Sequence, residues 1–155
     1  MFTIFTDGSC NFNKKGSNNI GGYAFVVLNE NGIKIKEGCN KEFKTTNNRM
    51  ELMAVISALE SMKIYSNPII VNTDSEYVSN PINLGWLNKW KKNDYKKGKS
   101  DQEIANKDLW IKLDALLTPN ITFKWIKGHT TENVWNTYVD TLCGSVYHKT
   151  FQVIN

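Results

Sequence analysis

Four acidic residues, spread through the chain, stand where their side chains could share divalent metal ions. Clustered carboxylates without cations repel one another and raise one another's pKa values, and a divalent ion is the simplest remedy. Oxygen ligands with few nitrogen or sulfur partners select Mg²⁺ or Mn²⁺. Two such ions can activate a water molecule and stabilise the leaving oxygen of a phosphodiester. This pattern suggests metal-dependent phosphodiester hydrolysis by Asp7, Glu51, Asp74 and Asp140.

On this hypothesis the four acids are the ligands of two ions. Asp7 bridges both ions. Glu51 and Asp74 hold one ion, and Asp140 holds the other. Each acid alone has an ordinary alternative role, because an Asp at a strand end is often a turn or cap residue and most helical acids are solvated. Their placement around one predicted crevice is what favours metal binding.

Hydrophobic periodicity predicts the element order β-β-β-α-β-α-α-β-α. The expected strands cover residues 2–6, 23–28, 33–43, 68–73 and 121–125. The expected helices include residues 52–62, begin at 75, cover 84–92, and include 109–117 and 135–146. Asn47 or Asn48 is the expected cap of the first helix, and residues 11–22 and 93–103 are expected to be irregular. The predicted fold class is α/β, a five-stranded mixed sheet (three antiparallel strands, then parallel ones) flanked by helices.

This order places the acids at one edge of the sheet. A right-handed crossover sets the first and fourth strands side by side and parallel. Asp7 and Asp74, each expected at the carboxyl end of its strand, then project into one crevice, where ligands of such sheets bind. Glu51 falls in the first turn of the crossover helix. Asp140 follows the apolar Val139 on the last helix and can border the core.

Length and composition restrict the class of protein. The 155 residues suit one domain, 1–155, with 147–155 as a possible flexible tail. Three cysteines without a CxxC pair argue against a zinc site or a disulfide framework. No apolar stretch approaches the roughly 18 residues of a membrane span. The N-terminal segment has no signal-like pattern, which predicts a cytoplasmic (or nuclear) protein without a membrane partner.

The net charge of +4 is concentrated in one segment. Residues 89–99 contain six lysines and one acid, Asp94, interleaved with aromatic side chains. Lysines of this kind neutralise phosphates and bind nucleic acid without sequence preference. Trp86 and Trp90 are four apart and share a helix face, so they either contact a ligand or pack this segment onto the body. A solvated lysine face is the ordinary alternative.

Five segments together resemble ribonuclease H of the type 1, bacterial-like kind, with its basic protrusion. They are TDGSC at 6–10, TTNNRMEL at 45–52, TDSEYV at 73–78, DLW at 108–110 and WIKGH at 125–129. They occur in the family's order over nearly all of residues 2–146. The resemblance implies a ribonuclease H-like fold and Mg²⁺-dependent endonucleolytic hydrolysis of the RNA strand of RNA–DNA hybrids. It also implies 5′-phosphate and 3′-hydroxyl ends.

The resemblance assigns roles to residues that carry the motifs. The four acids match the family's metal ligands, and His129 matches its mobile histidine near the scissile phosphate. The loop after His129, residues 130–135, departs from the family's glycine-containing pattern. Arg49 is expected to brace the fold by pairing with an acid. The 11–19 loop is longer than usual for the family.

The resemblance also implies a surface for the hybrid. Asn47 and backbone groups near Cys10 and Glu76 line the groove that reads the 2′-hydroxyl, Asn48 touches base edges, and Thr46 belongs to a phosphate pocket. For the asparagines, helix capping is the alternative or additional role. The expected nucleic-acid-binding residues are Cys10, Thr46, Asn47, Asn48, Glu76, Trp86, Lys89, Trp90, Lys91, Lys92, Lys96, Lys97 and Lys99.

Two other functions compete with the hybrid-specific nuclease. A non-catalytic hybrid-binding module would be favoured by a missing acid, and none of the four is missing. A related DNA nuclease of the resolvase or integrase kind would arrange its acids differently and lack the TTNNRMEL-like segment. The expected protein is therefore a monomeric ribonuclease H with two Mg²⁺ ions, or Mn²⁺, in its site.

Overall fold

The structure, a computed structural model, describes residues 1–11, 19–130 and 132–154, with side chains as far as residue 146. The strands are β1 (Phe2–Asn11), β2 (Ile20–Leu28), β3 (Lys34–Phe43), β4 (Ile69–Thr73) and β5 (Ile121–Trp125). The helices are α1 (Asn47–Ser61), α2 (Glu76–Asn83), α3 (Trp86–Lys92), α4 (Lys107–Leu116) and α5 (Val134–Ile154). Each of the five strands and five helical segments expected from periodicity is present, but the predicted order counted two helices between the fourth and fifth strands, and the structure has three there, α2, α3 and α4. Most of the predicted 11–19 loop, and the side chains of the predicted 147–155 tail, lie outside the described residues.

The five strands form one mixed sheet in the order β3-β2-β1-β4-β5. β1 pairs antiparallel with β2, and β2 pairs antiparallel with β3. β1 pairs parallel with β4, and β4 pairs parallel with β5. The predicted fold class, with three antiparallel strands followed by parallel ones, is therefore confirmed, as is the crossover that sets β1 beside β4.

Strand β1 is longer than the sequence predicted. It was expected to end before Asp7, but its ladder with β2 continues from Asp7, opposite Ala24, to Asn11, opposite Ile20. The parallel ladder with β4 stops earlier, at Phe5 opposite Asn72. Asp7 thus lies inside a strand that extends beyond its parallel neighbour, and β2 starts at Ile20 rather than at 23 because it pairs with this extension.

Side chains alternate between two apolar layers on the faces of the sheet. On one face, Ile4 and Val27 pack against Leu52 and Val55 of α1 and against α4. On the other face, Phe5 and Val26 pack against Val139 of α5. Because strand side chains alternate with a period of two, adjacent residues of β1 and β2 reach opposite layers. The sheet is consequently covered on both sides, which makes β2 fully buried.

Hydroxyl side chains cap α1, which carries Glu51, and α2, which follows Asp74. Thr46, not Asn47 or Asn48 as predicted, is the N-cap of α1, and its Oγ1 accepts from the Arg49 N–H at 3.2 Å. Ser75 caps α2 by accepting from the Val78 N–H at 3.2 Å. The prediction for Arg49 is confirmed, because its guanidinium forms two hydrogen bonds with Asp108, at 3.0 and 2.8 Å. The two caps, Thr46 and Ser75, fix where α1 and α2 begin.

Within the described residues, no helix combines the length and the apolar character needed to cross a membrane.

Candidate active site

Three of the predicted acids meet at the edge of the sheet where β4 has ended. Asp7 comes from β1, Glu51 from the start of α1, and Asp74 from the position after β4. One carboxylate oxygen of each lies within 4.8 Å of the others, close enough for all three to ligate a single ion. They line an open cleft of about 400 Å³ together with Asp140 and His129.

Asp140 joins this cluster from α5 and lines the same cleft. Its carboxyl group shares a hydrogen bond with that of Asp7 and adds to the negative potential at Asp7 and Asp74. Asp140 is exposed, whereas Asp7 is only 6% exposed. The cluster therefore has a buried side and a side open to solvent, and all four predicted acids border the same cleft.

A glycine allows helix α1 to approach β1 closely enough for this geometry. A Cβ placed on Gly8 would lie 2.3 Å from the carbonyl carbon of Met50 and 2.4 Å from the amide nitrogen of Glu51. Both atoms belong to the helix backbone, so neither can move aside cheaply. Any side chain at position 8 would push Glu51 away from Asp7. The glycine of the TDGS segment is thus required by the approach of the two carboxylates.

Burial and mutual repulsion raise the pKa values of the three clustered acids. Burial, the shared hydrogen bond with Asp140 and the charges of Asp74 and Asp140 raise the pKa of Asp7 to about 8. Burial, followed by the charges of Asp7 and Asp74, raises the pKa of Glu51 well above its usual range. Burial also raises the pKa of Asp74, and the nearby His129 partly offsets that rise. Without a cation, the cluster is thus held partly protonated.

The cluster fits a hard divalent cation. Its donors are carboxylate oxygens, which Mg²⁺ and Mn²⁺ prefer. The Oε2 atom of Glu51 is buried and has no hydrogen-bond partner among the described residues. A buried polar atom without a partner is costly, and a bound cation would satisfy it. A cation would also favour the ionised forms of the acids whose pKa values are raised.

The end of β5 encloses Asp74 from the other side. The indole Nε1–H of Trp125 donates a hydrogen bond to the carbonyl oxygen of Asp74 at 3.0 Å. A Cβ on Gly128 would lie 2.5 Å from Asp74 Oδ2, so the backbone there packs directly against the carboxylate. The sequence interpretation gave Trp125 and Gly128 no role of their own, although the WIKGH segment contains both.

His129 lies at the rim of the cleft. Its backbone has a left-handed conformation, with φ of 55°, and its side chain is exposed. It is close enough to Asp74 for its charge to lower the pKa of that carboxyl group. Despite the unusual loop that follows, His129 borders the same cleft as the acids. An imidazole there can reach a group bound over the carboxylates.

Comparison with known proteins agrees with this geometry. The family model for RNase H matches residues 1–147. The chain belongs to the RNase H family. Its relatives include the Ribonuclease H of Francisella philomiragia, 46% identical over 81% of this chain and 78% of that protein. The Ribonuclease H of Francisella tularensis subsp. novicida is 44% identical over 89% of this chain and 85% of that protein.

A solved structure of the same fold is that of LC11-RNase H1 in complex with an RNA/DNA hybrid. The two chains share 23% identity and a TM-score of 0.70, with 97% of this chain and 99% of the other covered. At that identity the likeness concerns the fold alone. The present chain is a ribonuclease H by its family and its curated relatives, and the family is metal-dependent, which agrees with the acidic cluster.

The first turn of α1 forms one wall of the cleft in this RNase H. Asn47 and Asn48 line it beside Glu51. The Oδ1 atom of Asn47 accepts a hydrogen bond from the Cys10 N–H at 2.7 Å, so the Cys10 amide is engaged within the protein and its thiol is buried. Thr46, at the cap of α1, and Glu76, in the first turn of α2, are both exposed.

The two tryptophans of the basic segment differ in their surroundings. Trp90 packs edge-on against Trp110, with ring centroids 5.4 Å apart, and contacts the main core. Trp86 is 41% exposed and presents its ring to solvent. Trp90 therefore packs the segment onto the body, one of the two roles that the sequence allows. Trp86 remains on the surface.

The lysines of this segment lie on the surface in two groups. Lys91 pairs with Asp114 at 2.9 Å, and Lys96 lies 4.0 Å from Asp94. The other four form no salt bridge within the part of the chain that the structure describes: Lys89, Lys92, Lys97 and Lys99. These four ammonium groups are therefore the ones most available to a polyanion.

Proposed function

We propose that this RNase H cleaves the RNA strand of RNA–DNA hybrids endonucleolytically, using two divalent ions, Mg²⁺ or Mn²⁺, and leaves 5′-phosphate and 3′-hydroxyl ends. The observation that carries the proposal is the convergence of Asp7, Glu51 and Asp74 within 4.8 Å, with Asp140 beside them. The LC11-RNase H1 structure, which holds such a hybrid, supports the choice of substrate by analogy of fold.

The four acids would hold the ions in the manner expected from their positions. The carboxyl group of Asp7 interacts with those of both Asp140 and Asp74, which suits a ligand shared by both ions. Glu51 and Asp74 would complete one site, and Asp140 the other. Ions bound there supply electrostatic stabilisation of the transition state and a nucleophilic water. The protein's part is to keep the carboxylates ionised, oriented and close.

His129 would serve the proton transfers at the rim of the cleft. A histidine can take up or release a proton near neutral pH. Its exposed side chain borders the acids without being buried among them. We propose that it handles a proton at the scissile phosphate or assists release of the product.

The hybrid would lie across the cleft and the basic segment. The Asn47 and Asn48 side chains, with backbone near Cys10 and Glu76, would face the minor groove, where the 2′-hydroxyl distinguishes RNA from DNA. Because the Cys10 N–H already donates to Asn47, the contribution of that position would be to hold Asn47 in place. Thr46 would lie near a phosphate of the DNA strand.

Lysines would neutralise backbone phosphates and make binding depend on salt. Trp86 is the exposed aromatic residue that could pack on sugars, while Trp90 would act by anchoring α3 to the core. The proposed lysine contacts are Lys89, Lys91, Lys92, Lys96, Lys97 and Lys99.

We further propose that residues 1–155 act as one domain, as a monomer, in the cytoplasm.

One assay tests the proposal. Labelled hybrid, double-stranded RNA and double-stranded DNA are offered with Mg²⁺ to the wild type and to Asp74→Asn. We expect the wild type to cut only the RNA strand of the hybrid, and the variant to bind the hybrid without cutting it. Binding without cleavage by the wild type would indicate a non-catalytic module. Equal cleavage of double-stranded DNA would indicate a resolvase-like or integrase-like nuclease.

A further inference from the structure

The indole of Trp125 forms a hydrogen bond that the sheet does not require. β4 ends at Thr73, so the carbonyl group of Asp74 has left the ladder. The Trp125 Nε1–H nevertheless reaches that carbonyl oxygen at 3.0 Å. Trp125 is 44% exposed, which is a large exposed fraction for a tryptophan at a strand end. Burial of the ring alone therefore does not explain a tryptophan at this position.

The two peptide groups on either side of the Asp74 Cα are both held from this end of β5. The preceding peptide is fixed through the Thr73 carbonyl oxygen, which accepts from the Ile126 N–H at 2.9 Å. The following peptide is fixed at its carbonyl oxygen by Trp125. Its N–H, on Ser75, donates to the Thr73 hydroxyl at 3.1 Å. The backbone dihedral angles of Asp74, and with them the direction of its Cα–Cβ bond, depend on these contacts.

The direction of that bond matters because the carboxylate has little space. On one side the Gly128 backbone packs against it, close enough that an added Cβ would lie 2.5 Å from Oδ2. On the other side are the carboxylates of Asp7 and Glu51, within 4.8 Å. Repulsion from these groups, without a cation, favours rotation of Asp74 out of the cleft. A fixed backbone opposes that rotation.

We propose that Trp125 is a positioning residue for Asp74: its indole N–H fixes the Asp74–Ser75 peptide, holds the Asp74 carboxylate toward Asp7 and Glu51, and so raises the affinity of the cleft for divalent metal. The proposal rests on the proposed function, in which Asp74 is a metal ligand. Trp125 touches neither the ion nor the substrate in this role.

The expected size of the effect follows from similar supporting hydrogen bonds. Removing a partner of a metal ligand typically costs about 10–100-fold in metal affinity or activity. Here the bond goes to the backbone of the ligand, and the Thr73 hydroxyl also holds the turn. We therefore expect an effect at the lower end of that range, an increase of about tenfold in the dissociation constant for Mn²⁺.

The experiment measures Mn²⁺ binding by isothermal titration calorimetry without nucleic acid. Trp125→Phe keeps an aromatic ring and removes the N–H. A second variant carries benzothienylalanine at position 125, which keeps the two-ring shape and also lacks the N–H. The matched control is Asn120→Ala. It removes a side-chain hydrogen bond to a carbonyl oxygen, that of Asn67, at the other end of the same strand pair, where the distance is 2.8 Å.

We expect both position-125 variants to bind Mn²⁺ about tenfold more weakly and Asn120→Ala to bind it like the wild type. In the cleavage assay, raising the Mn²⁺ concentration should restore kcat in the variants while KM for the hybrid stays unchanged. Wild-type Mn²⁺ affinity in either position-125 variant would overturn the proposal. So would an equal loss in Asn120→Ala, which would indicate a general effect on the strand pair.

The failure of this proposal can be told apart from failure of the proposed function. If the wild type binds Mn²⁺ and cuts the hybrid while the variants do the same with unchanged metal dependence, only the role of Trp125 is wrong. If the wild type binds Mn²⁺ and the variants bind it weakly, but no protein cuts the hybrid, the positioning role stands and the hybrid nuclease is refuted. A raised hybrid dissociation constant in EDTA, with normal Mn²⁺ binding, would make Trp125 a substrate contact and overturn the inference.

Discussion

Replacing Asp7 with Asn should reduce the pH dependence of stability in the metal-free protein. The pKa of Asp7 rises from about 3.9 in an unfolded chain to about 8 in the folded protein. The folded state therefore holds the Asp7 proton more tightly than the unfolded chain does. The stability linked to this proton is fully present below about pH 4 and is lost as the pH rises to about 8.

The magnitude follows from proton linkage. A difference of one bound proton changes the free energy of unfolding by about 1.4 kcal/mol per pH unit. Across the window set by Asp7, the loss is on the order of 5 kcal/mol. The pKa of Glu51 is shifted in the same direction and is raised partly by the charge of Asp7. In Asp7→Asn, one titrating group disappears and the shift of the other becomes smaller, so both contributions to the slope decline.

Urea unfolding in EDTA at intervals from pH 5 to 8.5 measures this slope. We expect Asp7→Asn to be more stable than the wild type at pH 8, with the difference shrinking as the pH falls. Asp101→Asn, which changes an exposed acid, should follow the wild type. Adding Mg²⁺ should stabilise the wild type increasingly as the pH rises, because ions bind the deprotonated carboxylates. Parallel curves for the wild type and Asp7→Asn would refute the electrostatic account of the cleft.

Two further predictions concern the walls of the cleft and the basic segment. Gly128→Ala should lower kcat/KM for hybrid cleavage by roughly 100-fold with little change in urea unfolding, because its Cβ would lie 2.5 Å from the Asp74 carboxylate; near-normal cleavage would mean that the backbone there shifts freely. Changing Lys97 and Lys99 to Gln should flatten the slope of log affinity against log salt by roughly one per lysine. Lys91→Gln should change that slope less, since the Lys91 ammonium already pairs with a carboxylate at 2.9 Å. An equal change in slope per lysine would contradict the division into paired and unpaired lysines.

Much of the fold could be predicted from the sequence because apolar spacing reports burial directly. Leu52, Val55 and Leu59 repeat at helical intervals, and they do form the buried face of α1. The exception is the end of β1. Asp7, Gly8 and Ser9 are turn-forming residues, yet they continue the strand because each of them is paired with a residue of β2 in the antiparallel ladder. Pairing between distant segments overrode local preference there.

The supporting contacts around the acids could not be predicted from local patterns. Asn47 was an expected helix cap, but Thr46 takes that role and leaves Asn47 to bind the Cys10 N–H. Nothing in the spacing of Trp86 and Trp90 distinguishes them. Only the position of Trp110, on α4, decides that Trp90 is the packed one. Such contacts join segments far apart in the chain, and periodicity carries no information about which side chain meets which.

The close packing of carboxylates that favours metal binding also destabilises the folded protein when no metal is bound. Burial raises the pKa of Asp7 to about 8, so without metal the folded chain holds there a proton that an unfolded chain would release at neutral pH, and burial shifts the pKa of Glu51 in the same direction. The same burial strengthens the attraction of those carboxylates for a cation, because water screens the charges less. Gly8 keeps Glu51 close to Asp7, and the contacts of Trp125 keep Asp74 directed toward both. These two supports lie on different strands, β1 and β5, and a cation that satisfies Glu51 Oε2 would relieve the repulsion that both of them resist. Metal binding and folding of this cleft should therefore be coupled, and a variant that loosens one support should lose metal affinity before it loses its fold.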